Sequence, residues 1–143
     1  MTSGDPSLLQ RIDAGGVPYW VSLGIVVEDA VAPGHLFLRL PMQPQLGTRR
    51  PDVMHGGAIA SLIDAAAGGA IISQFGGDED YGGQATLDLN VTFLNAATAD
   101  VIAEGRILRH SRALAFTQVD VRMEDGTHVA TGRATFSIIR KRS

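Results

Sequence analysis

The stretch Val53-Met-His-Gly-Gly-Ala-Ile-Ala-Ser-Leu-Ile-Asp64 decides the reading of this chain. Two glycines follow His55 at what reads as a helix start, and one carboxylate stands two turns in. The first N–H groups of a helix have no partner within it, so Gly56 and Gly57 can offer theirs to a carbonyl oxygen that is becoming negative. Asp64 is the only Asp, Glu, Lys or Arg between Asp52 and Asp78. An acid on so apolar a helix is either a solvated surface residue or a catalytic group.

Helix geometry sharpens the choice. Eight residues separate Gly56 from Asp64, which is about 12 Å of axial rise. Reacting groups must converge to about 3–3.5 Å around one atom. Asp64 therefore cannot serve a carbonyl held by the Gly56 amide of its own helix. Two copies of the helix, antiparallel about a two-fold axis, would each lend the acid to the other's N-terminus. An active site here is one shared between subunits. Gly57, Ala60, Ser61, Asp64, Ala67 and Gly68 share one helix face, and all but Asp64 are small. Ile59, Leu62, Ile63, Ala66 and Ala70 form an adjacent face that reads as core. Gly68 and Gly69 each cost about 1 kcal/mol relative to Ala inside a helix, which predicts a close approach to the backbone at both. Small residues alone favour plain packing; the lone acid among them turns the reading towards a site.

Outward from this helix, the pattern is mostly strand. Leu8, Leu9 and Ile12 predict a short helix over 6–14, ended by Gly15-Gly16. Residues 20–29 and 34–41 read as strands joined at Ala32-Pro33-Gly34. The long helix runs from about Gly57 to Gln74 and stops at Gly76-Gly77. In 85–93, Leu87, Leu89, Val91 and Phe93 alternate with polar residues as in a half-buried strand. Strands at 101–109, 113–123 and 128–139 follow, the last two a hairpin around Glu124-Asp125-Gly126. A two-strand start, one long apolar helix and a four-strand antiparallel meander make an α+β layer. A strongly curved sheet wrapped around the helix would bury it on most sides, which is the hotdog fold.

Composition bounds the rest. The 143 residues suffice for one domain with a real core, 1–143, in which 1–19 form an N-terminal helical extension. Apolar residues make up 45% and charged ones 19%, which is globular rather than disordered composition. A net charge of −3 argues against a nucleic-acid partner. Without cysteine there is no thiolate ligand, disulfide or Cys nucleophile. No apolar run reaches about 18 residues, so no membrane span is expected. Met-Thr-Ser-Gly-Asp lacks the basic and apolar parts of a signal peptide, giving a cytoplasmic expectation. His35, His55, His110 and His128 have no metal-ligand spacing, so no metal is expected.

His55-Gly56-Gly57 with Asp64 nine positions after the His resembles the hotdog-fold acyl-CoA thioesterases of the phenylacetate-degradation type. The likeness continues through Thr86-Leu-Asp-Leu-Asn-Val-Thr-Phe93, Leu114-Ala-Phe-Thr-Gln-Val-Asp120 and Gly126-Thr-His-Val-Ala-Thr-Gly-Arg133, covering roughly residues 20–140. It implies hydrolysis of coenzyme A thioesters without a cofactor, coenzyme A being part of the substrate. It also implies dimers paired into tetramers, with the site at the subunit interface. By the same resemblance, the Gly56 N–H polarises the thioester carbonyl, and Asp64 of the partner subunit is nucleophile or general base. His55 steadies the turn, and Thr86 helps position the water or the acid. The backbone at Gly82 and Gly83 lies along the pantetheine arm. Three positions depart from the family pattern. Arg49 stands where relatives carry Asn or Gln, Asp52 where they carry Gly, and Gly68 where one branch carries Thr or Ser.

Eight of the 12 basic residues lie between Arg106 and Arg142. Arg109-His110-Ser111-Arg112 falls between two strands, where relatives contact the nucleotide phosphates, and Arg suits phosphate through its bidentate fork. Arg140, Lys141 and Arg142 read as a solubilising terminus. Asp88 and Asp120 fall at exposed-phase strand positions and read as surface or interface residues. Ser61 with His55 could form a Ser-His-Asp site only without a nucleophile elbow. Ala60, Ala67 and Gly68 leave room near Asp64 for an aromatic or medium-length acyl group, and Gly57 and Arg49, with Ala60 and Gly68, are the expected substrate-binding residues. Two other readings are a hotdog hydratase, which needs a His paired with an acid not seen around His35, His110 or His128, and a non-catalytic acyl-CoA-binding hotdog.

Overall fold

The computed structural model describes residues 6–13 and 16–142. Gly15 of the expected Gly15-Gly16 stop and the opening residues 1–5 lie outside them. Helices α1 (Pro6–Ile12) and α2 (Pro18–Leu23) precede strands β1 (Val26–Ala32) and β2 (His35–Leu40). The long helix α3 (Gly56–Phe75) then leads into β3 (Tyr81–Phe93), β4 (Val101–His110), β5 (Leu114–Met123) and β6 (His128–Arg140). The strands form one six-stranded antiparallel sheet in the order β1-β2-β4-β5-β6-β3. With α3 at its centre, this is the expected α+β hotdog architecture.

α3 is apolar around its circumference because it is covered on both sides. Leu62, Ile63, Ala66 and Ile71 are buried in the core that faces the sheet. Leu8 and Ile12 of α1 and Trp20 of α2 close the other side. α3 is the only helix among the described residues long and apolar enough to cross a membrane, and most of it is buried inside the fold. A Cβ on Gly69 would lie 2.8 Å from Leu36 Cδ2, and one on Gly105 would lie 2.6 Å from the Ala66 carbonyl oxygen. At Gly69 the close approach is therefore real. At Gly68 it is not: a Cβ there would meet nothing nearer than 3.5 Å.

Three strand expectations need correction. Residues 20–23 are helical, because Pro18 has the φ of a first helical turn and Gly24, at φ 88°, caps the C-terminus in the left-handed region. The strand begins only at Val26. The second half is not a four-strand meander. β4, β5 and β6 are consecutive neighbours, but β3 pairs with β6 at the sheet edge, from Tyr81↔Arg140 to Phe93↔Ala130. Nor is β3 half-buried in the single chain: Leu87 is 59% and Phe93 53% exposed. Alternation predicts which face a residue takes, not whether anything covers that face.

On the outer face of β2, Arg39 gathers three acids: Glu28 at 2.8 Å, Asp100 at 3.3 Å and Glu124 at 2.7 Å. The hydrogen bond from Arg39 holds the Glu28 carboxyl below its ordinary range. A carboxyl depressed in the folded state stabilises fully above the unfolded value of about 4.3, and that contribution is lost as pH falls through the folded value. Arg39→Met should therefore lower stability by about 1 kcal/mol at pH 7. The difference should shrink as pH falls below about 4, as read from urea midpoints at pH 7 and at acid pH.

Candidate active site

His55 is the last extended residue before α3, at φ −64° and ψ 139°, and its Nδ1 accepts the Gly57 N–H at 2.8 Å. The His55 carbonyl accepts from Ala58 at 3.0 Å and Ile59 at 3.3 Å. Of the four N–H groups that open the helix, three are thus occupied, and among the described residues that of Gly56 has no partner. Accepting at Nδ1 places the proton of the neutral His55 ring on Nε2. The cap thereby selects one free donor at the positive end of a 20-residue helix dipole.

Asp64 is half-buried on the same helix, and its Oδ1 accepts a 2.8 Å hydrogen bond from Thr86 Oγ1 of β3. This fixes the carboxylate and leaves Oδ2 unbonded among the described residues. Gly57 and Ala60 stand one turn apart on the same helix face and Gly68 two turns further on, with only Gly68 of the three buried. Next to Gly68, the Gln84 amide donates to the Gly68 carbonyl at 3.3 Å and accepts from the Tyr81 hydroxyl. Towards the N-terminus, the exposed Tyr19 of α2 meets Ser61 Oγ at 2.8 Å, and Ser61 donates to the Gly57 carbonyl at 2.9 Å. Ser61 and His55 are therefore each engaged elsewhere, and no Ser-His-Asp relay forms. Tyr19 and Gln84 were not legible in the sequence: both flank Asp64 only through tertiary contact, and neither carries a motif.

The second group of site residues gathers at the other end of α3. Gly82 and Gly83 open β3 beside Ile139 and Lys141 of the β6 end, and Gly83 adopts φ 131°. Ser111 Oγ accepts the N–H groups of Ala113 and Leu114 and so shapes the loop that carries Arg112. Arg112 is not a free cation. Its Nη2 donates to Asp80, which also binds Arg140 at 3.0 Å, and chiefly the Arg112 bond holds the Asp80 carboxyl below the usual carboxylate range. Glu79, Asp80, Arg112, Lys141 and Arg142 enclose an open cavity of about 420 Å³. Arg140, expected to be part of a solubilising tail, instead stacks 5.4 Å from the centre of the Phe75 ring, with His110 edge-on to the same ring at 5.1 Å. Arg109 is exposed near the end of β4, and Arg49 is exposed in the loop between the Gly47↔Met54 bridge partners.

Two His–acid pairs exist that the sequence did not reveal. His35 Nε2 lies 2.7 Å from Glu104, and His128 Nε2 lies 2.9 Å from Asp120. Cross-strand register brings them together, Glu104 standing opposite Asp120. Asp120 is consequently mostly buried rather than exposed, whereas Asp88 is exposed as expected. Both pairs alternate with the inward core positions of their strands, so they lie on the face of the sheet away from α3. Among the described residues no group of three or more His, Cys, Asp or Glu could hold a metal ion.

Residues 52–130 match the profile of the thioesterase superfamily. A candidate esterase of Halobacterium salinarum is 34% identical over 126 residues, covering 82% of each chain. The chain belongs to the thioesterase superfamily. Its fold is similar to that of a thioesterase family protein of Silicibacter pomeroyi, with a TM-score of 0.83, 23% identity and coverage of 93% of this chain and 98% of that one. It is also similar to a hypothetical thioesterase of Streptococcus pneumoniae solved with coenzyme A, with a TM-score of 0.73, 20% identity and coverage of 86% and 93%.

Proposed function

We propose that this chain is an acyl-CoA thioesterase, akin to the phenylacetate-degradation type, whose sites are shared across a two-fold dimer, itself paired into a tetramer, in the cytoplasm. The observation that carries this reading is the single free N–H at Gly56, isolated by the His55 cap. It sits where a thioester oxygen would gain the most from a fixed donor and a helix dipole. Asp64 supplies the attack, with one oxygen held by Thr86 and the other free for a carbonyl carbon or a water. Hydrolysis adds the water oxygen to the carbonyl carbon and breaks the C–S bond. The coenzyme A thiolate takes up the proton, and no further cofactor is needed.

Sharing follows from distance. Along one α3, Gly56 and Asp64 stand about 12 Å apart, so the two halves of a site come from two helices. The edge position of β3 and its exposed Leu87, Leu89 and Phe93 supply a surface for a second copy to cover. In this arrangement Gly57, Ala60 and Gly68 leave room beside the thioester, and Arg49 faces it from its loop. The pantetheine arm runs past Gly82 and Gly83 towards Arg112 and, less strongly, Arg109, with Ser111 holding their loop. The presence of coenzyme A in the S. pneumoniae fold relative agrees with this reading.

Release of free thiol from a panel of acyl-CoAs tests the proposal. Binding without thiol release would make the chain a non-catalytic acyl-CoA-binding hotdog. Two variants test the nucleotide end. Arg112→Ala should raise KM for acyl-CoA far more than it lowers kcat and leave acyl-pantetheine hydrolysis unaffected. Asp80→Asn, by freeing Arg112, should instead lower KM for acyl-CoA. Equal losses on both substrates would mark Arg112 as structural.

A further inference from the structure

Two side-chain hydrogen bonds join β3 to α3 among the described residues. Thr86 Oγ1 donates to Asp64 Oδ1 at 2.8 Å, and Gln84 Nε2 donates to the Gly68 carbonyl at 3.3 Å. The two are in step. Two strand residues span about 6.8 Å and four helical residues about 6 Å, so strand and helix, running in opposite directions, meet at both places without bending. Of the two, only Thr86 touches the acid. Within the chain β3 pairs with β6 alone, so backbone pairing ties it to the sheet while side chains set its distance from the helix.

The strand carries two irregularities that make both contacts reachable. Between Tyr81 and Gly83, and again between Thr86 and Asp88, β3 has one residue more than β6. Residues three apart on a regular strand point to opposite faces. The extra residue Gly82 instead turns Tyr81 to the face of Gln84, and the extra residue Leu87 keeps Thr86 on the face of Leu89. That face is the inner one: Gln84 and Thr86 stand opposite Ile138 and Phe136, both buried. The Tyr81 hydroxyl thus reaches Gln84 and donates to its Oε1. A backbone carbonyl only accepts, so the amide turns its nitrogen to Gly68 and its oxygen to Tyr81. Burial pushes the Tyr81 phenol up, which keeps it a donor.

Building on the thioesterase reading, we propose that Gln84, oriented by Tyr81, is a positioning residue for Asp64. It clamps β3 to the helix turn after the acid and so fixes the distance from which Thr86 holds the carboxylate. The effect passes through Thr86, whose hydroxyl must stay within hydrogen-bond reach for Oδ2 to remain aimed at the substrate.

Gln84→Met keeps the length of the side chain and removes both hydrogen bonds, whereas Tyr81→Phe removes only the hydroxyl. Gln84→Met should lower kcat for acyl-CoA about 10-fold with KM unchanged, short of the ~10²-fold that a 1 Å misplacement can cost. Tyr81→Phe should lower it less. In a Thr86→Ala background neither change should lower kcat further, because the contact they serve is already gone; a pair that only supports the fold would add its own loss. Crystal structures supply an arm that needs no turnover: Thr86 Oγ1 and Asp64 Oδ1 should part beyond hydrogen-bond reach in Gln84→Met. Sedimentation of each variant checks assembly, and if Gln84→Met does not assemble, Tyr81→Phe carries the same cycle and the same crystal. Unchanged kcat, additive losses in the double variant or an intact Thr86–Asp64 contact would overturn the inference while leaving hydrolysis in place. A parted contact in the variant of a protein whose wild type hydrolyses no acyl-CoA would instead uphold the clamp and remove the thioesterase reading.

Discussion

Asp64→Asn is expected to lower kcat for acyl-CoA hydrolysis by about 10²-fold or more, since general acid–base terms alone are worth about 10²–10⁴. The amide keeps the size of the side chain and an oxygen to accept the Thr86 hydroxyl, so the contact between α3 and β3 survives. Stability should therefore change by no more than about 0.5 kcal/mol, as for a substitution that buries no new group. Acyl-CoA affinity should also persist, because neither the Gly56 donor nor the cluster around Arg112 is altered. Near-normal turnover by Asp64→Asn would remove the central claim. Single-turnover hydrolysis in ¹⁸O-labelled water then distinguishes the two roles of the acid. An enzyme oxygen in the first product marks attack by Asp64 itself, with water then opening the anhydride at the Asp64 carbon, whereas activation of water places a solvent oxygen there.

Gly56→Pro is expected to cost about 10²–10³ in kcat, the usual effect of removing one oxyanion donor. Proline deletes the N–H yet suits the first position of a helix, and His55 already has the extended ψ of 139° that a following proline requires. Gly56→Ala is its control. Both substitutions add a Cβ against the exposed Phe93 ring, but only alanine keeps the donor. Loss of activity in both would trace the effect to Phe93 rather than to the N–H. Mixing the two inactive proteins, Asp64→Asn and Gly56→Pro, tests sharing. In a mixed dimer one site carries both defects and the other is intact. Random pairing then restores about a quarter of wild-type activity. A mixture that stays inactive although the subunits exchange would place both halves of the site in one chain, against the helix geometry.

Much of this arrangement was legible because helix chemistry is local. The cap at His55, the glycines after it and the spacing to Asp64 depend on residues within three turns, and α3 begins one residue earlier than expected, at Gly56. The β5–β6 hairpin was legible for the same reason, Gly126 supplying the φ of 92° its turn requires. Trp20 to Leu23 were misread because valines and aromatics favour strands, while Pro18 and Gly24 punctuate the segment as one short helix capped by a left-handed residue.

The sequence by itself determined the fold class, the lone acid and the helix N-terminus with its glycines, since each follows from periodicity, backbone geometry and the scarcity of charge over residues 53–77. Only the tertiary structure decided which strand lies beside which, and so put β3 at the edge with its apolar side chains uncovered. It alone brought Thr86 to Asp64 across 22 positions, Asp80 to Arg112 across 32 and Phe93 onto Gly56. Those contacts join residues far apart in the chain, and their partners are chosen by sheet order and by the volume of a shared core, which no local pattern of residues encodes.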